Sequence, residues 1–415
     1  MTQPIARPLD LPCGARLSNR LCKSAMTEGL ADRFNRATEA HVRLYRRWSH
    51  SGAGLLLSGN IQVDRWHLER PGNVAIDANG GLDELAAYAK AGVEAGNHLW
   101  AQISHGGRQT PFVVNPEPMA PSAVAIDMAD LPGFSTGKPR AMSEADIFHV
   151  IDRFEHAARV VQDTGFTGLQ IHSAHGYLIS QFLNPLVNRR TDAWGGSLEN
   201  RARLLIEIVR RVRAAVGDSF PLSIKLNSSD FQRGGFTNAE SARVVEWLND
   251  EGVDLLELSG GSWEQPSLIG MTFHADQGVD TPLESTSKRE AYFIDYAARI
   301  RAVATMPIMV TGGFRSGAAM NASLEAGELD VVGVARPMVA DPECLKPLLD
   351  GSAPETVRPE ATLDPMPGQS WYYVQLLNLG AGLDVDPDLA GPDASARLLA
   401  NEASAAAALE DRRPY

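Results

Sequence analysis

Short apolar runs recur along this chain, and four of them sit just behind a glycine that closes a helix-like segment. Leu55-Leu56-Leu57 follows Gly52, Leu169-Gln170-Ile171 follows Gly165, Leu255-Leu256-Glu257-Leu258 follows Gly252, and Val331-Val332-Gly333-Val334 follows Gly327. A glycine in that place takes the left-handed conformation that ends a helix before the chain enters a sheet. Leu21 to Met26, Leu99 to Ser104, Leu222 to Leu226 and Ile308 to Thr311 are four further strand candidates, which makes eight. The runs are rich in Val, Ile and Leu rather than alternating, the pattern of parallel strands buried on both faces.

Amphipathic segments lie between these runs. Ser143 to Asp163 opens on a capping box of Ser143 with Asp146 and continues with apolar spacing through Ile147, Val150, Ile151 and Phe154. Leu198 to Val216 carries Leu204, Leu205, Ile208, Val209 and Val212, and Asn238 to Asp250 and Arg289 to Ala302 behave similarly. Eight strands alternating with helices predict an α/β fold, either a parallel barrel or a doubly wound sheet. The count of eight, polar groups after nearly every strand and no GxGxxG after the first favour a (β/α)8 TIM barrel with long strand-end loops. Pro111 to Pro139 reads as an excursion between the third strand and the next helix, a lid or pocket wall. From about Pro354 the pattern changes to a Pro-rich stretch, an aromatic-rich helix over Ser370 to Leu379, an acidic loop over Asp384 to Asp393 and an Ala-rich helix. The expected organisation is a barrel over residues 1–353 and a C-terminal extension over 354–415, helical and a candidate inter-subunit contact.

Composition narrows the function classes. The chain has 415 residues, 44% hydrophobic and 21% charged, the balance of a globular protein with a large core. A formal net charge of -13 argues against a general nucleic-acid binder. Cys13, Cys22 and Cys344 lack metal-cluster spacing and make no disulfide framework, so a reducing cytoplasm is the expected location. Met1 to Leu17 holds three prolines and no long apolar run, so no signal peptide is expected, and no run of about 18 apolar residues predicts a membrane span.

The working site of such a barrel lies at the carboxyl ends of its strands. The most informative end is Ile171-His172-Ser173-Ala174-His175-Gly176-Tyr177, where two imidazoles and a phenol close a buried run. Imidazoles donate hydrogen bonds to an oxygen, and a phenol delivers a proton. The pair is also open to a metal reading, with Asp230 or Glu257 as a third ligand. Lys225 closes an apolar strand and reads as a Schiff-base former, a cation for a developing anion, or a snorkelling surface residue. Gln102 ends the third strand, where its amide offers both a donor and an acceptor. After the last two strands come Thr311-Gly312-Gly313 and Gly333-Val334-Ala335-Arg336. Adjacent glycine loops with an arginine suit a phosphate, and otherwise make tight turns beside a surface ion pair.

Taken together these residues resemble the Old Yellow Enzyme family of FMN-dependent oxidoreductases, over about Leu9 to Leu349. The longest match runs from His172-x-x-His175-Gly-Tyr177 through Asn188-Arg189-Arg190-Thr191-Asp192 to Glu199-Asn200-Arg201. Asn19 to Thr27, Trp100 to Arg108, Asp230 to Phe236 and the two phosphate loops also look like the family. The resemblance implies the barrel fold and FMN as cofactor, with NAD(P)H as reductant. It implies that Ala25, Met26 and Thr27 lie against the flavin, and that Asn60 and Gln102 bond its pyrimidine edge. Lys225 would face N1 and O2, and Gly312, Gly313, Gly333, Ala335 and Arg336 would hold the phosphate. His172 and His175 would bind a substrate carbonyl oxygen and Tyr177 would donate a proton, so that the C=C bond of an α,β-unsaturated carbonyl compound is reduced.

The chain departs from the family pattern in places. Ala25 stands where many members have Pro, Lys225 where many have Arg, and Thr27 where one branch has Cys. A C-terminal arginine reaches a neighbouring active site in one branch, a role open to Arg412 or Arg413, which otherwise belong to a solvated tail. Trp263 and Phe273 are candidate substrate-pocket walls, or exposed loop aromatics. Competing functions are an FMN-dependent dehydrogenase or demethylase, a nitro or quinone reductase, a metal-dependent barrel lyase or hydrolase, and a non-catalytic binder. The expected partners are a small-molecule substrate and further copies of the chain as a dimer or tetramer, with no nucleic acid and no membrane.

Overall fold

The computed structural model describes residues 2–126, 135–261, 290, 293–363 and 365–409. Eight strands form a closed parallel barrel: β1 (Leu21–Lys23), β2 (Leu55–Gln62), β3 (His98–Ser104), β4 (Leu169–Ser173), β5 (Leu222–Asn227), β6 (Leu255–Ser259), β7 (Ile308–Thr311) and β8 (Val331–Val334). The ring closes where β8 pairs with β1, placing Gly333 beside Cys22. All eight strands read from the apolar runs are present. The first is shorter than the run implied, because the chain leaves the ladder after Lys23 and turns over the barrel mouth.

Helices separate the strands: α1 (Glu39–Ser49), α2 (Leu82–Gly92), α3 (Glu144–Asp163), α4 (Leu178–Leu183), α5 (Leu198–Val216), α6 (Asn238–Leu248), α7 (Ile294–Arg301), α8 (Gly317–Glu325), α9 (Pro337–Ala340) and α10 (Leu345–Asp350). Local chemistry fixes their ends. Ser143 Oγ accepts from the Asp146 N–H while the Asp146 carboxylate accepts from the Ser143 N–H, so the expected capping box starts α3. The glycines expected to close helices, Gly52, Gly165, Gly252 and Gly327, all have positive φ, between 69° and 93°. Asn238 to Asp250 proves helical to Leu248, and the helix expected over Arg289 to Ala302 spans Ile294–Arg301.

Two of the apolar clusters among the described residues build the barrel. The larger lies between strands and helices, where Ile171, Ile224, Val310 and Val332 meet Phe154, Leu205 and Val245. A smaller one fills the lower barrel interior with Cys22, Leu55, Leu57, Trp100, Leu255, Met309 and Val331. A short N-terminal hairpin, Leu9–Asp10 paired with Arg16–Leu17, plugs that end with Leu11 and Leu17. Each such fully buried side chain contributes roughly 1.5–3 kcal/mol. The bottom of the barrel is therefore closed and dry, and the chemistry is left to the top.

After the barrel, α11 (Pro365–Gly380) and α12 (Gly391–Ala407) fold back onto it. Arg43 on α1 donates to the Gly380 carbonyl at 2.9 Å, and Arg70 pairs with Glu402. Among the described residues no helix is long and apolar enough to cross a membrane.

Candidate active site

The carboxyl ends of the strands surround a cavity of about 310 Å³. Ala25, Met26 and Thr27 line it beyond β1, Asn60 from β2, Gln102 from β3, His172, His175 and Tyr177 from β4 and its turn, and Lys225 from β5. Gly312 and Gly313 after β7, Gly333 from β8, and Ala335 and Arg336 just beyond it complete the ring. Barrel closure thus brings together fourteen candidates scattered over three hundred residues. Trp263 and Phe273 lie outside the described residues, as do Arg412 and Arg413.

Strand register sets the arrangement. His172 on β4 stands beside Lys225 on β5, and Lys225 beside Glu257 on β6. The Lys225 ammonium lies 2.9 Å from Glu257 Oε1, with both side chains buried. Glu257 also accepts from Thr311 Oγ1 at 2.6 Å and from Gln170 Nε2 at 2.9 Å. Gln170 in turn accepts from Gln102 Nε2 at 2.7 Å. This network spans the upper barrel interior as a polar floor. It leaves Gln102 Oε1 as an acceptor.

Burial and the neighbouring Lys225 ammonium hold both imidazoles well below the usual histidine range, so both are neutral. Their tautomers follow from their partners. His172 Nδ1 accepts from the Ala174 N–H at 3.2 Å, which leaves its proton on Nε2. His175 Nε2 lies 2.8 Å from Ser259 Oγ; when Ser259 donates, the His175 proton sits on Nδ1. Tyr177 stacks edge-on against His172, with ring centroids 4.8 Å apart. His175 has φ of 61°, a left-handed conformation uncommon outside glycine. It is held there by Asn227 Oδ1, which accepts the His175 N–H at 3.1 Å. Asn227 is anchored in turn by Asp230 at 2.7 Å.

At the opposite rim, Asn60 Oδ1 accepts from Thr27 Oγ1 at 2.9 Å and from Asn73 Nδ2 at 3.1 Å, which leaves Asn60 Nδ2 as a donor. Gly312 and Gly313 have φ of 129° and 95°, so the backbone there takes a path that suits glycine and faces the cavity. Gly333 has a packing reason for its missing side chain as well: a Cβ would lie 2.0 Å from Thr311 Oγ1. Among the described residues the Arg336 guanidinium has no hydrogen-bonded partner.

Several lining residues escaped the sequence reading. Glu69 and Arg315 sit beyond the loop positions that strand ends alone suggest, and Gln369, Tyr372, Tyr373 and Leu376 come from α11. The aromatic cluster Trp371-Tyr372-Tyr373 was the visible signal, but nothing local said where it docks. Arg315 is already paired with Glu360, which also accepts from Tyr372.

The proposed metal ligands are engaged elsewhere. Glu257 is taken up by the Lys225 network, and Asp230 accepts from Asn184 and Asn227. A second group, Asp64, His67 and His105, lies in the loops after β2 and β3. His67 donates to Asp64 at 2.7 Å and accepts from the Met119 N–H at 3.0 Å, so both of its nitrogens are used. The His67 and His105 rings stack at 4.3 Å and 24°, so their planes lie nearly parallel. The group ties the excursion after β3 to the loop after β2.

A family model described as the NADH:flavin oxidoreductase / NADH oxidase family matches residues 5–353. The NADH-dependent flavin oxidoreductase iccE of Talaromyces variabilis is 34% identical over 399 residues, covering 91% of this chain and 94% of its own length. The NADH-dependent flavin oxidoreductase iliE of Hypocrea jecorina is 33% identical over 353 residues, covering 81% of this chain and 86% of its own. Among solved structures, a 2-naphthoyl-CoA reductase in complex with 2-naphthoyl-CoA has a TM-score of 0.76 and 25% identity, over 94% of this chain and 58% of that one. An old yellow enzyme homologue from Zymomonas mobilis has a TM-score of 0.70 and 24% identity, over 85% of this chain and 94% of that one, a likeness that shows the fold.

Proposed function

This chain belongs to the NADH:flavin oxidoreductase / NADH oxidase family, and from that premise we propose that it reduces the C=C bond of α,β-unsaturated carbonyl compounds. It is an oxidoreductase of Old Yellow Enzyme type that uses FMN and NAD(P)H. The residues present fit FMN. Asn60 Nδ2 and Gln102 Oε1 offer a donor and an acceptor for a pyrimidine edge, and Lys225 is a buried cation beside them. The positive-φ pair Gly312–Gly313 and Arg336, whose guanidinium has no hydrogen-bonded partner among the described residues, suit a phosphate.

Bound FMN, once reduced by NADH or NADPH, supplies a hydride. The protein's part is positioning and proton chemistry. The neutral His172 Nε2–H and the His175 ring Nδ1–H donate to a substrate carbonyl oxygen, which draws electron density from the conjugated β-carbon. The hydride goes to that carbon, and the Tyr177 hydroxyl gives a proton to the α-carbon, which balances the two-electron, two-proton reduction. Neutral imidazoles suit this role, since each donates one hydrogen bond without presenting a full charge to the substrate.

The observation that carries this reading is the convergence of two neutral imidazoles and a phenol at the end of β4. The 2-naphthoyl-CoA reductase likeness supports it, since that protein is named for a substrate with unsaturation conjugated to a thioester carbonyl. One pocket serves both reactants, so parallel double-reciprocal lines are expected. The test is Tyr177→Phe examined in half-reactions by stopped flow. Flavin reduction by NAD(P)H should persist while enone turnover falls by roughly 10²–10⁴-fold, the usual worth of a proton donor. Enone reduction at the parent rate would remove Tyr177 from this role.

A further inference from the structure

Glu69, in the loop after β2, is half-buried and lines the cavity. Its Oε2 lies 3.1 Å from Thr27 Oγ1, the hydroxyl whose other acceptor is Asn60 Oδ1. A hydroxyl has one proton to give. When Glu69 is ionised, Thr27 faces two protein acceptors and its proton is held by the protein. When Glu69 is protonated it donates to Thr27 Oγ1, and Asn60 Oδ1 is already served by Asn73 Nδ2 at 3.1 Å. The Thr27 proton is then available to a ligand in the cavity.

The charged groups that face Glu69 come from three elements. Arg70 follows it in the same loop, its guanidinium 3.9 Å above the Tyr373 ring of α11 and paired with Glu402 of α12. Arg70 is paired with Glu402, and its charge also acts on Glu69. Burial pushes the Glu69 carboxyl up, Arg70 and the hydrogen bonds of Thr27 and Asn73 draw it down, and Glu402 pushes it up again, with a net shift upward. Tyr373, itself buried, carries no charge that would offset them.

We propose that Glu69 is a positioning residue that sets, through Thr27, the hydrogen bond offered to the flavin edge, and that the C-terminal extension controls it through the Arg70–Glu402 pair. The proposal rests on the FMN assignment above. It makes the extension part of the redox site of its own chain. Near a flavin an ionised Glu69 also opposes the arrival of electrons, so protonation should make reduction easier.

The test uses the full-length FMN-loaded protein, and flavin content is scored first. A parent that holds no flavin would overturn the FMN assignment rather than this proposal. The oxidised flavin bands are then titrated from about pH 4 to about pH 9 in the parent, Glu69→Gln and Glu402→Gln. The parent should show a spectral transition above the usual carboxylate range, since Glu69 is held above it. Glu69→Gln should abolish the transition. Glu402→Gln, on the outer face of the pair, should keep the flavin and move the transition to lower pH, because Arg70 then serves Glu69 alone. A transition that survives in Glu69→Gln overturns the role of Glu69. A transition unmoved in Glu402→Gln overturns control by the extension, and that variant remains informative should Glu69→Gln fail to fold.

Discussion

Lys225→Met isolates what the ion pair in the barrel floor contributes. It removes a cation 2.9 Å from Glu257 and leaves a fully buried carboxylate with, among the described residues, Thr311 and Gln170 as its donors. Breaking one half of such a buried pair costs about 3–5 kcal/mol, because the surviving charge is stranded in a medium that solvates it poorly. With a urea m-value of at least about 3 kcal/mol/M for a chain of this size, a 4 kcal/mol loss lowers the unfolding midpoint by up to about 1.3 M. Adding Glu257→Gln removes the stranded charge, so the double variant should regain most of that loss. Cofactor chemistry should recover only in part: the double variant sheds the Glu257 charge that opposes electrons, but both variants lack the cation proposed to face the flavin, so both should keep a more negative flavin midpoint potential than the parent, the single variant more so. The assay is apo-protein unfolding in urea by tryptophan fluorescence and circular dichroism with coincident transitions, alongside potentiometry of the FMN-loaded forms. A loss under about 1 kcal/mol in Lys225→Met would refute the buried-pair reasoning. Full recovery of the potential to the parent value in the double variant would refute a role for Lys225 toward the flavin.

Two further outcomes follow from named groups. His172→Ala with His175→Ala should weaken binding of simple phenols, measured by their perturbation of the flavin spectrum, because on the proposed roles a phenolate oxygen would take the place of the substrate oxygen between the two donors. Unchanged phenol affinity would sink that role. Burial pushes the Asp230 carboxyl up to about 7 from 3.8. Between those values the folded chain holds a proton that the unfolded chain has lost, so stability falls as pH rises, by at most about 4 kcal/mol over the whole window. Asp230→Asn should flatten that slope in urea midpoints measured from about pH 5 to about pH 8. An identical slope in parent and variant would mean that Asp230 does not titrate there.

What was legible in the sequence was mostly local. A glycine with positive φ after a helix, a serine three residues before an aspartate and a buried apolar run each act over a few residues, and the eight strands and the start of α3 follow from them. The candidate site was legible for a related reason: in a closed parallel barrel, strand ends meet at one mouth, so collecting strand ends collects the site. Glu69 and α11 were not, because their places depend on contacts such as Arg70 with Glu402, 332 residues apart. Gly333 was read for its backbone alone, while its neighbour Thr311 supplies a second, packing reason that no local pattern carries.

Two lysines show where local reading stops. Lys23 and Lys225 both close apolar runs, and both are buried. Lys23 points away from the cavity into α1, donating to Tyr45 at 2.9 Å and to the Leu57 carbonyl at 2.7 Å, with its ammonium 4.3 Å above the Trp48 ring. Burial lowers its pKa to about 8 in that apolar setting. Lys225 takes the opposite side of the pleat, between His172 and Glu257 in the ladder, and so enters the cavity. The same residue type after the same kind of run thus becomes a structural tether in one strand and a site cation in another. Strand parity decides between them, since a shift of one residue exchanges the faces of a strand. That parity is fixed by barrel closure, a property of all eight strands together, and so the role of each lysine is settled only once the whole ring is assembled.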